Sequence, residues 1–387
     1  MLINVEFFDD DPIENVITSL NYKVDKTLFF GYSEVLEKHK DNVAKFLQKT
    51  GQVQCVEFCA IDDTDLSKII QAMKERLSQE KGQDNVLFFD LTGGESLPLV
   101  AFGVLSKEFN ASMHMFNVRS NEMFEYRNED GTLLSEIAKH EPIQLNLDKF
   151  ISLYGGKINY AMHKDSKDLT SPETKKDIGK MWYLSRKYNA RWPHYSALLR
   201  SLKPDSTDLH VNIAASQVLA ELKKNPQAGK VKEFNEFLDE CASLGFITDL
   251  KHQDGIFNFT YKNPIIKNYF WDSGGILEMF ALTKMRKEHP GCDCKAGVHI
   301  DWDGIIHPAY GEDVLNEIDI MLIDNNLPIF VSCKNGNVNQ MALYELETVA
   351  NRFGGKYATK ILMVTKNVAP GHLRRAKEMG IEVRRMS

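Results

Sequence analysis

The 387-residue chain has no apolar run approaching the length of a membrane span. Its first residues, Met1-Leu2-Ile3-Asn4-Val5-Glu6, lack the basic segment and apolar segment of an export signal. A cytoplasmic protein with no membrane partner is expected. Cysteine is sparse: six residues, scattered, which excludes a disulfide scaffold. Cys292-Asp293-Cys294 is too tight for zinc-ligand spacing, and no second CxxC or HxxxH accompanies it. Positive charge is not in excess either. A net charge of −7 argues against a chain coated for nucleic acid. What remains is 43% hydrophobic residues, ample for real cores, and a length that suits two or three domains.

Residues 1–150 read as strands alternating with helices. Apolar strands are expected over Leu2 to Phe8, Thr27 to Phe30, Val53 to Cys59 and Asn85 to Asp90, with Met113 to Val118 and Met123 to Tyr126 closing the sheet. Such alternation predicts a mostly parallel sheet with helices on both faces. Ligands of such sheets sit at the carboxyl ends of the strands. Asp9-Asp10-Asp11-Pro12 and Gly31-Tyr32-Ser33 fall at two of these ends, and Leu91-Thr92-Gly93-Gly94-Glu95-Ser96 joins a third to a helix. Glycines there allow close approach, and helix N–H groups attract phosphate. The loop is neither G-x-G-x-x-G nor followed by a Walker lysine, and Glu95 opposes an anion.

Residues 151–265 contain helical segments at Lys175 to Tyr188, Ala214 to Lys223 and Lys230 to Leu244. A hairpin around Gln253-Asp254-Gly255 follows, giving a winged-helix-like outline. Aromatic and cationic residues from Arg186 to Tyr195 are candidates either for stacking on a strand of nucleic acid or for core and rim.

In residues 266–387 the chemistry concentrates in a predicted hairpin, Asn316 to Ile323 and Ile329 to Lys334. Period-2 alternation puts Glu317 and Asp319 on one face, and Ser332 and Lys334 on one face of the partner strand. Carboxylates that hold Mg²⁺ or Mn²⁺, beside a lysine that steadies an attacking water, suit cleavage of a phosphodiester. The Cys333 carbonyl is a further candidate oxygen ligand. A helix starting at Ser273-Gly274-Gly275 carries Glu278, and a second helix spans Leu343 to Gly355 before an apolar strand, Lys360 to Val364. From Lys356 to Ser387 eight Lys or Arg stand against two Glu, a surface that could contact phosphates.

This last region resembles the PD-(D/E)xK nucleases, and more closely the nuclease domain of CRISPR-associated effectors switched on by cyclic oligoadenylates. The resemblance rests on Gly274, Gly275, Leu277 and Glu278, on Asn316, Glu317 and Asp319, on Cys333 and Lys334, and on an L-x-x-L-E…GG element from Leu343 to Gly355. Ser332 departs from it, standing where the superfamily usually has Asp or Glu. The first half resembles a CARF domain, the Rossmann-like sensor of such ligands, through Asp90, Thr92, Gly93 and Gly94 and through Asp11-Pro12-Ile13-Glu14-Asn15; Ser96 replaces the lysine common there.

The resemblance implies an α/β chain of three modules: a CARF domain (1–150), a helical winged-helix-like connector (151–265) and a restriction-endonuclease-like domain (266–387). It implies a ligand site at Asp11, Pro12, Tyr32, Ser33, Thr92, Gly93, Gly94, Glu95 and Ser96. It further implies catalytic residues Asp319, Lys334, Glu278, Glu317 and Ser332, with Mn²⁺ or Mg²⁺ on Asp319, Glu278, Glu317 and Cys333. A homodimer binding cyclic tetra-adenylate and cutting DNA or RNA in antiviral defence is the function expected. A ligand-responsive transcription regulator with a degenerate nuclease domain is the alternative.

Overall fold

A computed structural model describes residues 1–51, 53–80, 82, 84–129, 132–138, 142–162, 171–202, 207–252, 255–307 and 315–386. Among these residues the chain forms three sheets.

The first sheet holds β1 (Leu2–Phe7), β2 (Lys26–Gly31), β3 (Cys55–Ala60), β4 (Val86–Asp90), β5 (Ser112–Asn117), β6 (Glu122–Glu129) and β7 (Thr132–Ile137) in the order β3-β2-β1-β4-β5-β6-β7. The first five are parallel and the last two antiparallel. Helices α1 (Ile17–Tyr22), α2 (Ser33–Phe46), α3 (Leu66–Ser78) and α4 (Ser96–Phe109) connect them. β2 is buried along its whole length, as a strand covered on both faces must be. This is the Rossmann-like fold expected. The strand order reverses between β1 and β4, so the loops after these strands open a crevice at the carboxyl edge.

Next come α5 (Leu147–Leu153) and β8 (Lys157–Ile158), then α6 (Pro172–Lys187), α7 (Trp192–Leu202), β9 (His210–Ala214), α8 (Ala215–Lys224), α9 (Val231–Ser243), β10 (Ile247–Lys251) and β11 (Ile256–Tyr261). The antiparallel sheet β10-β11-β9 beside α7, α8 and α9 gives the winged-helix-like outline, with β9 as a strand the sequence pattern did not announce. The turn residues Gln253 and Asp254 lie outside the described residues. Trp192 and Tyr195 are fully buried, Arg191 pairs with Glu233 at 2.6 Å, and Lys187 pairs with Glu240 at 2.6 Å. The aromatic and cationic stretch therefore builds core and rim.

The third region contains α10 (Pro264–Trp271), α11 (Gly275–Glu288), β12 (Asp293–Asp301), β13 (Leu315–Asp324), β14 (Leu327–Lys334), α12 (Gln340–Gly354), β15 (Thr359–Val364), α13 (Pro370–Glu378) and β16 (Ile381–Arg385). Its sheet runs β16-β15-β14-β13-β12-β8, antiparallel from β8 to β14 and parallel from β14 to β16. Helix, hairpin, helix and strand thus follow one another in the order expected for this region. β12 was not anticipated. Its charged residues and Gly297, at φ +58°, break the alternation by which strands are recognised. Around Gly297 the strand changes sides: Cys294 and Ala296 join one core, Val298 and Ile300 the other.

Those two cores tie the chain together. One unites the middle helices with the α11 face of the third sheet, where Trp182 stacks on Phe280 at 4.7 Å. The other runs from Phe8, Ile13 and Val16 through Phe150 and Ile151 of α5 to Phe330, Leu346 and Phe353. The strand β8, from the middle segment, edges the third sheet. No helix of the described residues is long and apolar enough to cross a membrane.

Candidate active site and ligand loop

The hairpin turns on Asn325 and Asn326, both at positive φ (+51° and +64°), the geometry of a tight two-residue connection. That turn sets the register from Asp324↔Leu327 to Ile320↔Val331, where the pairing stops. The next residues in line are Asp319 and Ser332. Here a side chain takes over from the ladder: Asp319 Oδ2 accepts the Cys333 N–H at 2.6 Å and the Ser332 hydroxyl at 3.2 Å. The strands part, and a cavity of about 240 Å³ opens between them and α12. Glu317, Asp319, Ser332 and Lys334 line it, with Asn316 and Ile318 from β13 and Glu345, Leu346 and Val349 from α12.

Burial raises the Asp319 carboxyl above its ordinary pKa. The Cys333 N–H, Lys334 and the Ser332 hydroxyl pull it back, and Glu317 adds to the rise. Glu317 is more exposed and lies 3.7 Å from His299 across the β12–β13 ladder. Glu278, in the first turn of α11, is not in the cavity lining. Its charge is felt instead by the Cys333 thiol, which burial pushes well up and Asp319 and Glu278 push further. The Asn335 amide donates to the Ser273 carbonyl at 2.9 Å, pinning the start of α11 beside the end of β14.

The cavity therefore unites Glu317, Asp319, Ser332 and Lys334, but not Glu278 or Cys333. It adds Glu345, which the sequence reading missed. The L-x-x-L-E element points to Glu347, yet Glu347 pairs with Lys360 at 3.8 Å. Helical spacing was the available signal: Glu345 lies one turn before Val349, on the face of α12 that meets the cavity.

A divalent cation is the group this chemistry implies. Among the described residues no group of three or more His, Cys, Asp and Glu is placed to hold one. Of the set expected from the sequence, Asp319, Glu278 and Glu317 with the Cys333 carbonyl, only Asp319 and Glu317 line this cavity. The donors that do share the cavity still fit a hard cation. Mg²⁺ commonly takes one or two carboxylates and keeps several waters, and Glu317 and Asp319 supply two.

The glycine loop is built differently. The Thr92 N–H donates to Asp90 Oδ1 at 2.9 Å, and the Thr92 hydroxyl donates to the same oxygen. That hydroxyl also accepts the Phe116 N–H at 2.8 Å. Asp90 sits opposite Glu6 in the β1–β4 register, both fully buried, and burial raises both carboxyls. Gly94 has φ +105°, open to glycine at little cost. A Cβ on Gly93 would stand 2.9 Å from Asp9 Cβ, and the Gly94 N–H donates to Asp9 Oδ2 at 3.2 Å. Glu95 accepts from the Tyr32 hydroxyl at 3.3 Å, Ser33 donates to Asp62 at 2.6 Å, and Ser96 opens α4. Tyr32, Ser33 and Thr92 to Ser96 thus share the carboxyl edge of the sheet.

Asp11 and Pro12 do not join that edge. Asp11 is buried against the middle and third regions, accepting from the Tyr154 hydroxyl of the one and from the Lys356 N–H of the other at 3.0 Å. Pro12 lines a cavity of about 320 Å³ at the same junction. The first loop is therefore turned toward the third region, a matter of tertiary placement that the local sequence does not encode. Lys356, counted among the C-terminal basic residues, also faces this junction and not the cavity at Asp319. Arg384 pairs with Glu382 at 2.7 Å and Glu288 at 3.0 Å. Ser387 lies outside the described residues.

One face of α4 is apolar and exposed. Leu97, Val100 and Val104, spaced three and four apart, are 38%, 50% and 49% accessible. Gly103, on the same helix, has open space where a Cβ would lie.

Comparison with known proteins yields structures only. No protein-family model matches the sequence, and no curated protein matches it. Among solved structures, protein VC1899 from Vibrio cholerae superposes with a TM-score of 0.68 at 16% identity, over 99% of this chain and 94% of that one. Can2 from Sulfobacillus thermosulfidooxidans, in complex with cyclic tetra-adenylate, gives 0.64 at 14% identity, over 99% and 95%. At such identities the likeness establishes the fold, and it does so across all three regions.

Proposed function

We propose that the chain is a cyclic-oligoadenylate-activated, metal-dependent endonuclease of type III CRISPR defence. The observation that carries this reading is the meeting of Glu317, Asp319, Ser332 and Lys334 in one cavity where two strands separate. The end-to-end likeness to Can2, a protein in complex with cyclic tetra-adenylate, supports a ligand of that class at the carboxyl edge of the first sheet. In this reading the modules are 1–150, 151–265 and 266–387, with β8 lent by the middle segment to the third sheet.

Glu317 and Asp319 would hold Mg²⁺ or Mn²⁺, and Glu345 stands on the opposite wall. When bound, the cation neutralises phosphate charge and lowers the pKa of water. Lys334 positions the attacking water or stabilises charge on the phosphate. The Cys333 N–H and the Ser332 hydroxyl fix the Asp319 carboxylate. The substrate is DNA or RNA, cut with low sequence preference.

The sensor ligand would meet the Gly93–Gly94 backbone, the start of α4 at Ser96, and Tyr32 and Ser33 around it. Thr92 shapes the loop from inside. The apolar stripe of α4 supports pairing of two chains, since a two-fold symmetric ring suits a two-fold interface. Ligand binding then shifts the population toward a cutting arrangement.

Ser332 and the lack of a three-ligand cluster among the described residues favour a second reading. In it the winged-helix-like unit reads DNA under ligand control and the third region is inert. One experiment separates the two. Purified protein with Mn²⁺, labelled single- and double-stranded DNA and RNA, and each cyclic oligoadenylate is expected to cut only when ligand is present, and Lys334→Ala to abolish the cutting. No cutting under any condition by either protein would leave the regulator.

A further inference from the structure

We infer that Lys356 is the contact through which the glycine loop of the first region controls the cleavage cavity of the third; this rests on the functional reading above and assigns its regulation. Asp9 is the near end of the contact. Its Oδ2 accepts the Gly94 N–H at 3.2 Å, while its Oδ1 accepts the Asp11 N–H at 2.9 Å and faces Lys356 Nζ at 3.3 Å. One carboxylate thus touches the ligand loop and the third region at once.

Lys356 has a second anionic partner, Glu14 at 2.5 Å, which also accepts from the Tyr357 hydroxyl. The Lys356 N–H donates to Asp11, and Gly355, at φ +52°, lets the backbone lie against that carboxylate. The glycine loop packs tightly on the same acids: a Cβ on Gly93 would be 2.9 Å from Asp9 Cβ and 3.3 Å from Glu14 Cβ. A shift of the loop therefore displaces them.

The far end leads to the candidate catalytic residues. Lys356 sits in the short turn Gly355–Tyr357, between α12 and β15. α12 brings Glu345, Leu346 and Val349 to the cavity. β15 pairs with β14 at Ser332↔Leu362 and Lys334↔Val364. Moving this turn moves two elements that define the cavity. Packed elements and hydrogen-bond networks of this kind are what carry coupling between sites.

An anionic ligand at the loop competes with Asp9 for the Gly94 N–H and repels the Asp9 carboxylate. Lys356 then loses one of its two counter-charges and redistributes toward Glu14 or toward the ligand. Its side chain is half exposed beside the cavity of about 320 Å³ flanked by Asp10, His39 and Arg352, so it has room to swing.

The test uses the full chain as parent, K356M, K356R and E14Q, with cyclic tetra-adenylate. Calorimetry measures ligand affinity, cleavage of labelled DNA with Mn²⁺ measures output, and hydrogen exchange follows residues 340–357. K356M is expected to bind ligand nearly as the parent does and, like the parent, not to cut without it. Its ligand stimulation should fall about tenfold. The parent should show a ligand-induced exchange change in 340–357 that K356M lacks, with K356R restoring most of it and E14Q intermediate. Full stimulation and an unaltered exchange response in K356M would overturn the inference while leaving the functional reading intact. If the parent binds ligand but cuts nothing, the nuclease reading fails and the exchange response alone decides this one. If the parent binds no ligand, both fall.

Discussion

At the glycine loop the Thr92 hydroxyl accepts the Phe116 N–H and donates to Asp90, whereas at the hairpin Asp319 accepts an N–H in place of a strand neighbour. In the first case side chains are used up inside so that backbone N–H groups and a helix start are what a ligand can meet. In the second the backbone ladder is interrupted so that side chains face a cavity. Both sites contain buried acids. Glu6 and Asp90 lie fully inside, where burial opposes ionisation; Asp90 adds to that at Glu6, while Thr18, Thr92 and Glu6 partly offset it at Asp90, as the Cys333 N–H and Lys334 do at Asp319. A recognition loop needs a fixed shape. A reactive site needs groups left over to act.

Four substitutions would break or sharpen this contrast. The largest effect is expected from Asp319→Asn, which should lower ligand-stimulated cleavage by about 10²- to 10³-fold while leaving ligand affinity unchanged. Cleavage at the parent rate would place the chemistry elsewhere. Thr92→Val should act on the scaffold. It strands the Phe116 N–H and removes a donor to Asp90, costing about 1–3 kcal/mol in urea unfolding, with Thr92→Ser near the parent. Equal stability of Val and Thr would mean the loop is not held from within.

Ser332→Asp adds a carboxylate to the cavity and should lower the Mn²⁺ concentration for half-maximal cleavage by about tenfold. An unchanged titration would show that position 332 is not a ligand slot. The smallest effect concerns pH. Burial lifts the Glu14 carboxyl from 4.5 to about 7, against the pull of Lys356 and Tyr357. A raised carboxyl adds stability below the unfolded value, lost as pH rises through the folded one. The stability of the parent relative to Glu14→Gln should therefore decline between pH 4.5 and about 7. A flat difference would mean Glu14 titrates normally.

Much of the fold was legible in the sequence. The parallel strands of the first sheet are apolar runs bounded by glycine, proline and acids, and the Asn325-Asn326 hairpin declares itself by its flanks. β12 was not legible, because Gly297 and alternating charges mask a strand that its neighbours stabilise. α7 was hidden by reading Trp192 and Tyr195 as a possible surface when they are core. At the site, Asp319 and Lys334 follow from alternation and pairing. Glu278 does not follow, because which side of a sheet a helical acid reaches depends on packing. Asp11 was placed correctly after β1 yet faces the third region, since a loop's heading is set by what it docks against.

The core that runs from Phe8 to Phe353 has a consequence for how the chain can be divided. Cutting between the first region and the third would lay bare Ile13, Val16 and Phe150 on one side and Leu346 and Phe353 on the other. Such fragments would clump rather than work as separate parts. Exchanging one half for that of a distant relative would meet the same obstacle unless the seam were redesigned with it. A substitution at that seam in one half therefore calls for a matching change in the other.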